Sequence, residues 1–197
     1  MYEMVKWTFV LLLMVSLLNA SGMGKSKEKI MVNTKWGAIS ISLDREHAPV
    51  TTANFIRYIQ TGLLDSACFY RVVRMDNQPQ NKVKIEVIQG GRYKEENNGF
   101  PPIIHETTLL TGIRHRNGTI SMARNEPGTA TSEFFICIGK QPELDFGGKR
   151  NPDGQGFAAF GKVTRGMKVV RKIHSFPAPG QYLEKPVLIR NISMATK

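Results

Sequence analysis

Apolar and polar residues alternate over residues 29–33 and 38–43. In the second stretch isoleucine or leucine occupies every second position, with serine between them. Successive side chains of a strand point to opposite faces, so this period of two predicts two half-buried β-strands. The residues between them, 33–37, end in glycine and favour a hairpin connection.

Two segments have the spacing of helices. Pro49 suits the first turn of a helix because its missing N–H has no intrahelical partner there, and Gly62 follows the last apolar residue of that segment. Over residues 164–174, methionine, valine and isoleucine recur at helical intervals and predict a second helix.

Short apolar runs separated by turn residues fill most of the remaining chain, with no repeated strand–helix–strand pattern. A last strand is predicted over residues 187–194, and polar residues 76–84 and 92–102 predict surface loops. Many strands with two separated α-helices indicate a mainly β fold, a β-barrel whose ends are covered by helices. We expect one such domain over residues 30–197.

An apolar run over residues 7–18 lies between a lysine and a group of small residues that ends at position 22. The run is too short to span a bilayer comfortably, but it has the length of the hydrophobic region of a signal peptide. We therefore predict a signal peptide over 1–22 and a short polar segment over 23–29. The protein is then exported, periplasmic or secreted, without stable membrane insertion after cleavage. An uncleaved anchor is the open alternative.

The formal net charge of +11 favours anionic surroundings such as lipid headgroups, cell-surface polymers or acidic polypeptides. No basic stripe with interleaved aromatic residues occurs, so nucleic acid is not predicted as a partner. Binding to anionic polymers through the basic surface alone remains an alternative function.

Cysteine and histidine positions indicate neither a disulfide nor a metal site. Cys68 and Cys137 lie in apolar, strand-like runs, where buried free thiols are the ordinary explanation. The histidines are scattered without metal-ligand spacing, and His115, between two arginines, is expected to be exposed. We predict no metal and no cofactor.

Five short motifs occur in a fixed order along the chain. They are Phe69-Tyr70-Arg71, Gln89-Gly90-Gly91, residues 118–123, residues 132–137 and Phe160-Gly161-Lys162-Val163. Together they resemble the cyclophilin family of peptidyl-prolyl cis-trans isomerases, of the exported, bacterial kind, over nearly the whole chain after its leader. The resemblance implies a closed eight-stranded antiparallel β-barrel capped by helices, and an enzyme that rotates X–Pro bonds in folding polypeptides.

Rotation about an X–Pro bond is slow because resonance gives the imide partial double-bond character, with a barrier of roughly 18–20 kcal/mol. In the twisted transition state the nitrogen gains a lone pair that accepts a hydrogen bond, which the planar ground state lacks. A fixed guanidinium beside that nitrogen therefore binds the transition state selectively. The resemblance gives this role to Arg71.

The resemblance also assigns the rest of the site. Gln89, which both donates and accepts, and Phe135, the floor of a proline pocket, join Arg71 as catalytic residues. The implied substrate-binding residues are Phe69, Val87, Ala123, Arg124, Glu133, Leu144 and Phe157. For Arg124, in place of a usual Asn, only the main-chain role carries over. Phe134 and Phe160 are expected in the core.

Three carboxylates depart from the family pattern, at Glu86, Glu133 and Glu143. Glu133 replaces a glutamine and is expected either to form an ion pair with Arg71 or to compete with substrate for it. The three together predict a preference for basic peptide segments. They also keep open a second function, a module or chaperone that binds proline-containing segments without isomerising them. With either function we expect a monomer.

Overall fold

The computed structural model of the chain describes residues 28–93 and 99–195. The predicted signal peptide over 1–22 lies outside the described residues, as do most of the polar segment over 23–29 and residues 94–98 of a predicted loop. No helix in the described part of the chain has both the length and the apolar character needed to cross a membrane.

Within the described ranges, eight antiparallel strands form a closed barrel. In chain order they are β1 (Lys29–Thr34), β2 (Gly37–Leu43), β3 (Cys68–Val73), β4 (Val87–Gly91), β5 (Thr119–Met122), β6 (Phe134–Cys137), β7 (Ala159–Arg165) and β8 (Tyr182–Met194). Around the barrel the order is β1-β2-β7-β5-β6-β4-β3-β8, and β8 closes the ring by pairing with β1. The predicted mainly β fold class is confirmed.

Helices accompany the barrel at three places in the described chain. They are α1 (Pro49–Gln60), α2 (Thr108–Thr111) and α3 (Met167–His174), with 3₁₀ turns at Pro142–Leu144 and Pro179–Gln181. α1 begins at the predicted proline and is followed by Gly62 in the left-handed region, at a φ of +71°. α2 was not predicted, because a single turn is too short to show a helical period.

The barrel interior is filled by aromatic and aliphatic side chains. Phe55 of α1 lies with its ring centroid 5.3 Å from that of Phe134 and 5.2 Å from that of Phe160. Both strand residues are fully buried, which confirms their expected core position. Along β6 the faces alternate, so the neighbouring Phe135 belongs to a separate, outer apolar cluster.

A β-bulge interrupts β3 at Tyr70. The register of β3 against both neighbouring strands shifts between Phe69 and Arg71. An extra residue in a strand reverses the alternation of its faces, so these two residues point to opposite sides although they are two positions apart. Phe69 is fully buried in the core, whereas Arg71 is half-buried on the outer face.

Cys68 and Cys137 are buried free thiols, as predicted. Burial, with a smaller effect of the Glu133 charge, raises the pKa of the Cys68 thiol to about 11. Burial likewise raises the pKa of Cys137. Both groups therefore stay protonated at neutral pH and act as small apolar side chains.

Candidate active site

A row of directly paired residues crosses the outer face of β3, β4, β6 and β5. Arg71 pairs with Gln89, Gln89 with Phe135, and Phe135 with Ser121. A groove of about 470 Å³ lies over this row. The predicted site residues that line it are Arg71, Val87, Gln89, Ala123, Arg124, Glu133, Phe135, Leu144 and Phe157.

The guanidinium of Arg71 is held at two points. Its Nη1 donates to Oε1 of Gln89 at 2.9 Å, while Nε and Nη2 donate to Oε1 of Gln181 at 3.1 and 2.5 Å. Gln181 has a φ of +76°, unusual for a residue other than glycine, and its amide nitrogen donates to the carbonyl of Asn77 at 3.2 Å. Both contacts fix the direction of the cation before any substrate binds.

From Gln89 the hydrogen bonds continue away from Arg71. Nε2 of Gln89 donates to the hydroxyl of Tyr70 at 2.6 Å, and that hydroxyl donates to Oε2 of Glu133 at 2.5 Å. The other oxygen of Glu133 accepts from the backbone N–H of Arg92 at 2.8 Å. The expected ion pair between Glu133 and Arg71 is therefore wrong: the two groups are connected through the hydrogen bonds of Tyr70 and Gln89.

Space for the Glu133 carboxylate depends on Gly91, the last residue of β4. Gly91 has a φ of +151°, and a Cβ atom at this position would collide with the Glu133 carboxylate. The carboxylate therefore packs directly against the β4 backbone and is partly buried. Burial raises the pKa of Glu133 above its ordinary value despite the hydrogen bonds that it accepts, and burial followed by the Glu133 charge raises the pKa of Tyr70.

Glu133→Gln is expected to make the free energy of unfolding less sensitive to pH. The folded-state pKa of Glu133 is raised, so the stability that its protonated form contributes is fully present below the ordinary value of 4.5 and is lost as pH rises through the folded pKa. Urea midpoints of the wild type should fall relative to those of Glu133→Gln as pH increases above that value. A constant difference between the two proteins would contradict the raised pKa.

Beside the cation, apolar side chains line one part of the groove and form a slot. Phe135 forms its floor, and Phe157 stands perpendicular to it with ring centroids 5.3 Å apart. Leu144, Val87 and the unpredicted Ile85 complete the same apolar cluster. The slot thus has an apolar floor and wall next to a fixed guanidinium.

Three polar residues support the slot floor from behind. Oδ1 of Asp145 lies 2.8 Å from Nδ1 of His115, and Oγ of Ser121 lies 3.0 Å from Nε2. This is the order of a hydrolase triad, but Ser121 is fully buried, so a substrate does not reach its hydroxyl. The His115 ring instead stacks on Phe135 with centroids 5.9 Å apart.

The expectation that His115 is exposed is wrong, because the residue is 2% exposed. Burial lowers the pKa of His115, which keeps the ring neutral at pH 7. Burial alone would raise the pKa of Asp145, but the hydrogen bonds from the His115 ring and backbone outweigh it and lower that pKa. No local pattern indicates this pair, whose two members lie 30 positions apart.

Arg124 uses its side chain within the protein. Nη1 and Nη2 contact the two carboxylate oxygens of Asp153 at 2.8 and 2.9 Å, and Nε donates to the carbonyl of Gly156. The hydrogen bonds from Arg124 lower the pKa of Asp153. The side-chain charge of Arg124 is therefore already paired.

The preceding residue, Ala123, donates its backbone N–H to the carbonyl of Glu133 at 2.8 Å.

One predicted site residue lies elsewhere. The resemblance places Phe69 in the substrate-binding set, but its side chain is fully buried in the barrel core, with its ring centroid 5.8 Å from that of Phe134. The bulge at Tyr70 is the cause, because it turns Phe69 inward and Arg71 outward. Phe69 therefore supports the fold and does not line the groove.

Several residues that line or support the groove were not predicted. Tyr70 lies within the Phe69-Tyr70-Arg71 motif, but its role depends on the bulge. Gln181 and Arg150 come from distant loops, and no local pattern marks either of them. Only the three-dimensional arrangement shows that they meet Arg71 or its groove.

A second cleft, of about 490 Å³, lies on another part of the barrel. Arg114, Arg116 and Lys162 line it beside several hydroxyl groups. None of its described lining residues is aromatic. Because it lacks an apolar slot beside a fixed cation, the groove over Phe135 is the better candidate for the active site.

Known proteins share this sequence pattern. The family model of the cyclophilin type peptidyl-prolyl cis-trans isomerase/CLD matches residues 29–194. Peptidyl-prolyl cis-trans isomerase A of Dickeya dadantii is 32% identical over 177 residues, covering 85% of this chain and 85% of the relative. Peptidyl-prolyl cis-trans isomerase cyp18 of Streptomyces antibioticus is 34% identical over 148 residues, covering 73% of this chain and 81% of the relative.

A crystal structure supports the fold independently. A cyclophilin type peptidyl-prolyl cis-trans isomerase of Cryptosporidium parvum superposes with a TM-score of 0.70 at 19% identity, covering 87% of this chain and 99% of that chain. The matches to the family model and to the relatives of 32% and 34% identity show that the chain belongs to the cyclophilin-type peptidyl-prolyl cis-trans isomerase family. It is an isomerase of X–Pro bonds, and its substrates are proline-containing polypeptides.

Proposed function

We propose that Arg71 performs the isomerisation by donating a hydrogen bond to the imide nitrogen as the X–Pro bond leaves planarity. The observation that carries this proposal is the double anchoring of its guanidinium, by Gln89 and Gln181, at the edge of the apolar slot. A donor fixed in advance needs little reorganisation in the transition state, which is the condition for electrostatic catalysis. Each tenfold gain in rate needs about 1.4 kcal/mol.

The slot supplies the second part of the mechanism. The proline ring packs on Phe135 between Phe157 and Leu144, while the residue before proline stays free to rotate. Contact with these rings removes water from around Arg71, and a hydrogen bond to a charged group is stronger in such surroundings. The backbone of residues 123–124 is proposed to pair with the substrate strand and to hold it in place.

Export is a further part of the proposal. Its support is the apolar run over residues 7–18 with small residues before position 23, the pattern of a cleaved signal peptide. The protein would then act as a monomer on proline-containing polypeptides in the periplasm or the medium. Expression in a secreting host followed by N-terminal sequencing tests this: a start at Met23 supports export, and an intact leader in the cytoplasm contradicts it.

Exchange spectroscopy on a proline peptide tests the isomerase mechanism. In a mixture with a small molar fraction of the protein, cis and trans resonances of the peptide should exchange within a second, whereas the uncatalysed process takes tens of seconds or longer. The alternative, a module that binds proline segments without rotating them, predicts shifted resonances with no faster exchange. A peptide with alanine in place of proline serves as the control.

A further inference from the structure

The groove carries more positive than negative charge. Among its described lining residues, Arg71, Arg124 and Arg150 are cationic and Glu133 is acidic. Arg124 is paired with Asp153, whereas Glu133 accepts hydrogen bonds from the neutral Tyr70 hydroxyl and the Arg92 backbone N–H and contributes one negative charge. The two other cations of the lining, Arg71 and Arg150, outnumber it.

Arg150 has only neutral hydrogen-bond acceptors. Its Nη1 donates to Oε1 of Gln78 at 3.0 Å and to the carbonyl of Val83 at 2.6 Å. Within the described residues, no carboxylate lies within 4.0 Å of its guanidinium nitrogens. Burial, and then the charge of Arg71, lower the pKa of Arg150, yet an arginine keeps its charge at neutral pH.

The segment that bears Arg150 is fixed on both sides. The backbone N–H of Arg150 donates to the carbonyl of Glu143 at 3.1 Å, and Asp153 is held by Arg124. The Gln78 side chain that Arg150 contacts is itself fully buried. A cation held in advance loses little conformational entropy when it binds an anion.

Two of the three carboxylates that predicted a preference for basic peptides, Glu86 and Glu143, do not line the groove, whereas Glu133 does. Glu86 lies between Ile85 and Val87, which line it, and is absent from the described lining. Glu143 accepts the backbone N–H of Lys149 at 2.8 Å instead. The structure therefore favours the opposite preference.

We propose that Arg150 is a specificity-determining residue that selects proline segments with an anionic side chain next to the proline. The proposal rests on the proposed function, since it concerns the same groove. A carboxylate on the bound peptide would form a charge-assisted hydrogen bond with the uncompensated Arg150 guanidinium while the proline ring occupies the slot over Phe135. Acidic clients would thus be isomerised faster than neutral or basic ones.

Two pairs of matched peptides test this selectivity. In the first pair the residue before proline is glutamate in one peptide and glutamine in the other. In the second pair the residue after proline differs in the same way. In at least one pair, the wild type should show a kcat/KM about tenfold higher for the glutamate peptide than for the glutamine peptide. This is the gain expected from one charge-assisted hydrogen bond. Arg150→Gln should reduce that ratio to near one, and Arg150→Lys should retain most of it. The ratio should also decrease with added salt.

Lys149→Gln provides the matched control, because it removes the same charge one position away, from an exposed side chain that does not line the groove. Its glutamate-to-glutamine ratio should equal that of the wild type. Equal rates for both peptides of each pair in the wild type would overturn the proposal, as would an unchanged ratio in Arg150→Gln. Any loss of stability affects both peptides equally and leaves the ratio valid.

Failure of this proposal is distinguishable from failure of the catalytic one. If the wild type accelerated no peptide at all, the proposed mechanism at Arg71 would be wrong. Affinities of the same peptides, measured by calorimetry, would then still decide whether Arg150 selects acidic segments. A tighter Kd for the glutamate peptide that disappears in Arg150→Gln would support the selectivity alone.

Discussion

Replacing Arg71 with Ala is expected to lower kcat/KM on a proline peptide by about 10²- to 10³-fold, the loss that accompanies removal of one preorganised donor to a transition state. The effect should fall mainly on kcat, because the hydrogen bond to the imide nitrogen exists only in the twisted state. Peptide affinity should change much less, since Phe135, Phe157 and Leu144 still receive the proline ring. Exchange spectroscopy with calorimetry on the same peptide separates the two effects.

Arg71→Lys is the informative companion variant. A lysine keeps the positive charge but does not reach Gln89 and Gln181 at once with a planar fork. We expect it to recover only part of the lost rate. If Arg71→Ala kept the wild-type rate, the guanidinium would not be the transition-state donor. The groove would then bind proline segments without catalysis by Arg71.

Much of the site follows from the regular part of the sequence. Strands β4 and β6 alternate without interruption, so Gln89 and Phe135 fall on the outer face and Ile88 and Phe134 on the inner one. The half-buried strands β1 and β2 were predictable because periodic burial leaves a periodic pattern, whereas the closed eight-stranded barrel followed from the family resemblance. The boundaries of α3 and β8 were less accurate, because local patterns do not show where neighbouring strands continue.

The remainder of the site depends on contacts between distant segments. Gln181 meets Arg71 across 110 positions, and Arg150 meets Gln78 across 72. Neither contact leaves a local periodicity in the sequence. The role of Glu133 was mistaken for a related reason: its partner is Tyr70, whose direction is set by the bulge.

Phe69→Ala is expected to destabilise the protein by about 3–5 kcal/mol, the usual cost of removing a large aromatic side chain from a packed core. Phe69 is fully buried against Phe134, and the neighbouring barrel strands leave little freedom to close the cavity. Such a loss is a large fraction of the stability of an ordinary domain, about 5–15 kcal/mol. Urea denaturation measures it directly.

Milder variants separate a core role from a role in the groove. Phe69→Leu retains most of the side-chain volume, so it should fold, lose less stability and keep the wild-type KM and kcat. Phe157→Leu should have the opposite effect, a higher KM with little change in stability, since Phe157 is only partly buried at the edge of the slot. If Phe69→Leu instead raised KM at unchanged stability, Phe69 would contact the substrate, and the bulge at Tyr70 would not separate core from groove.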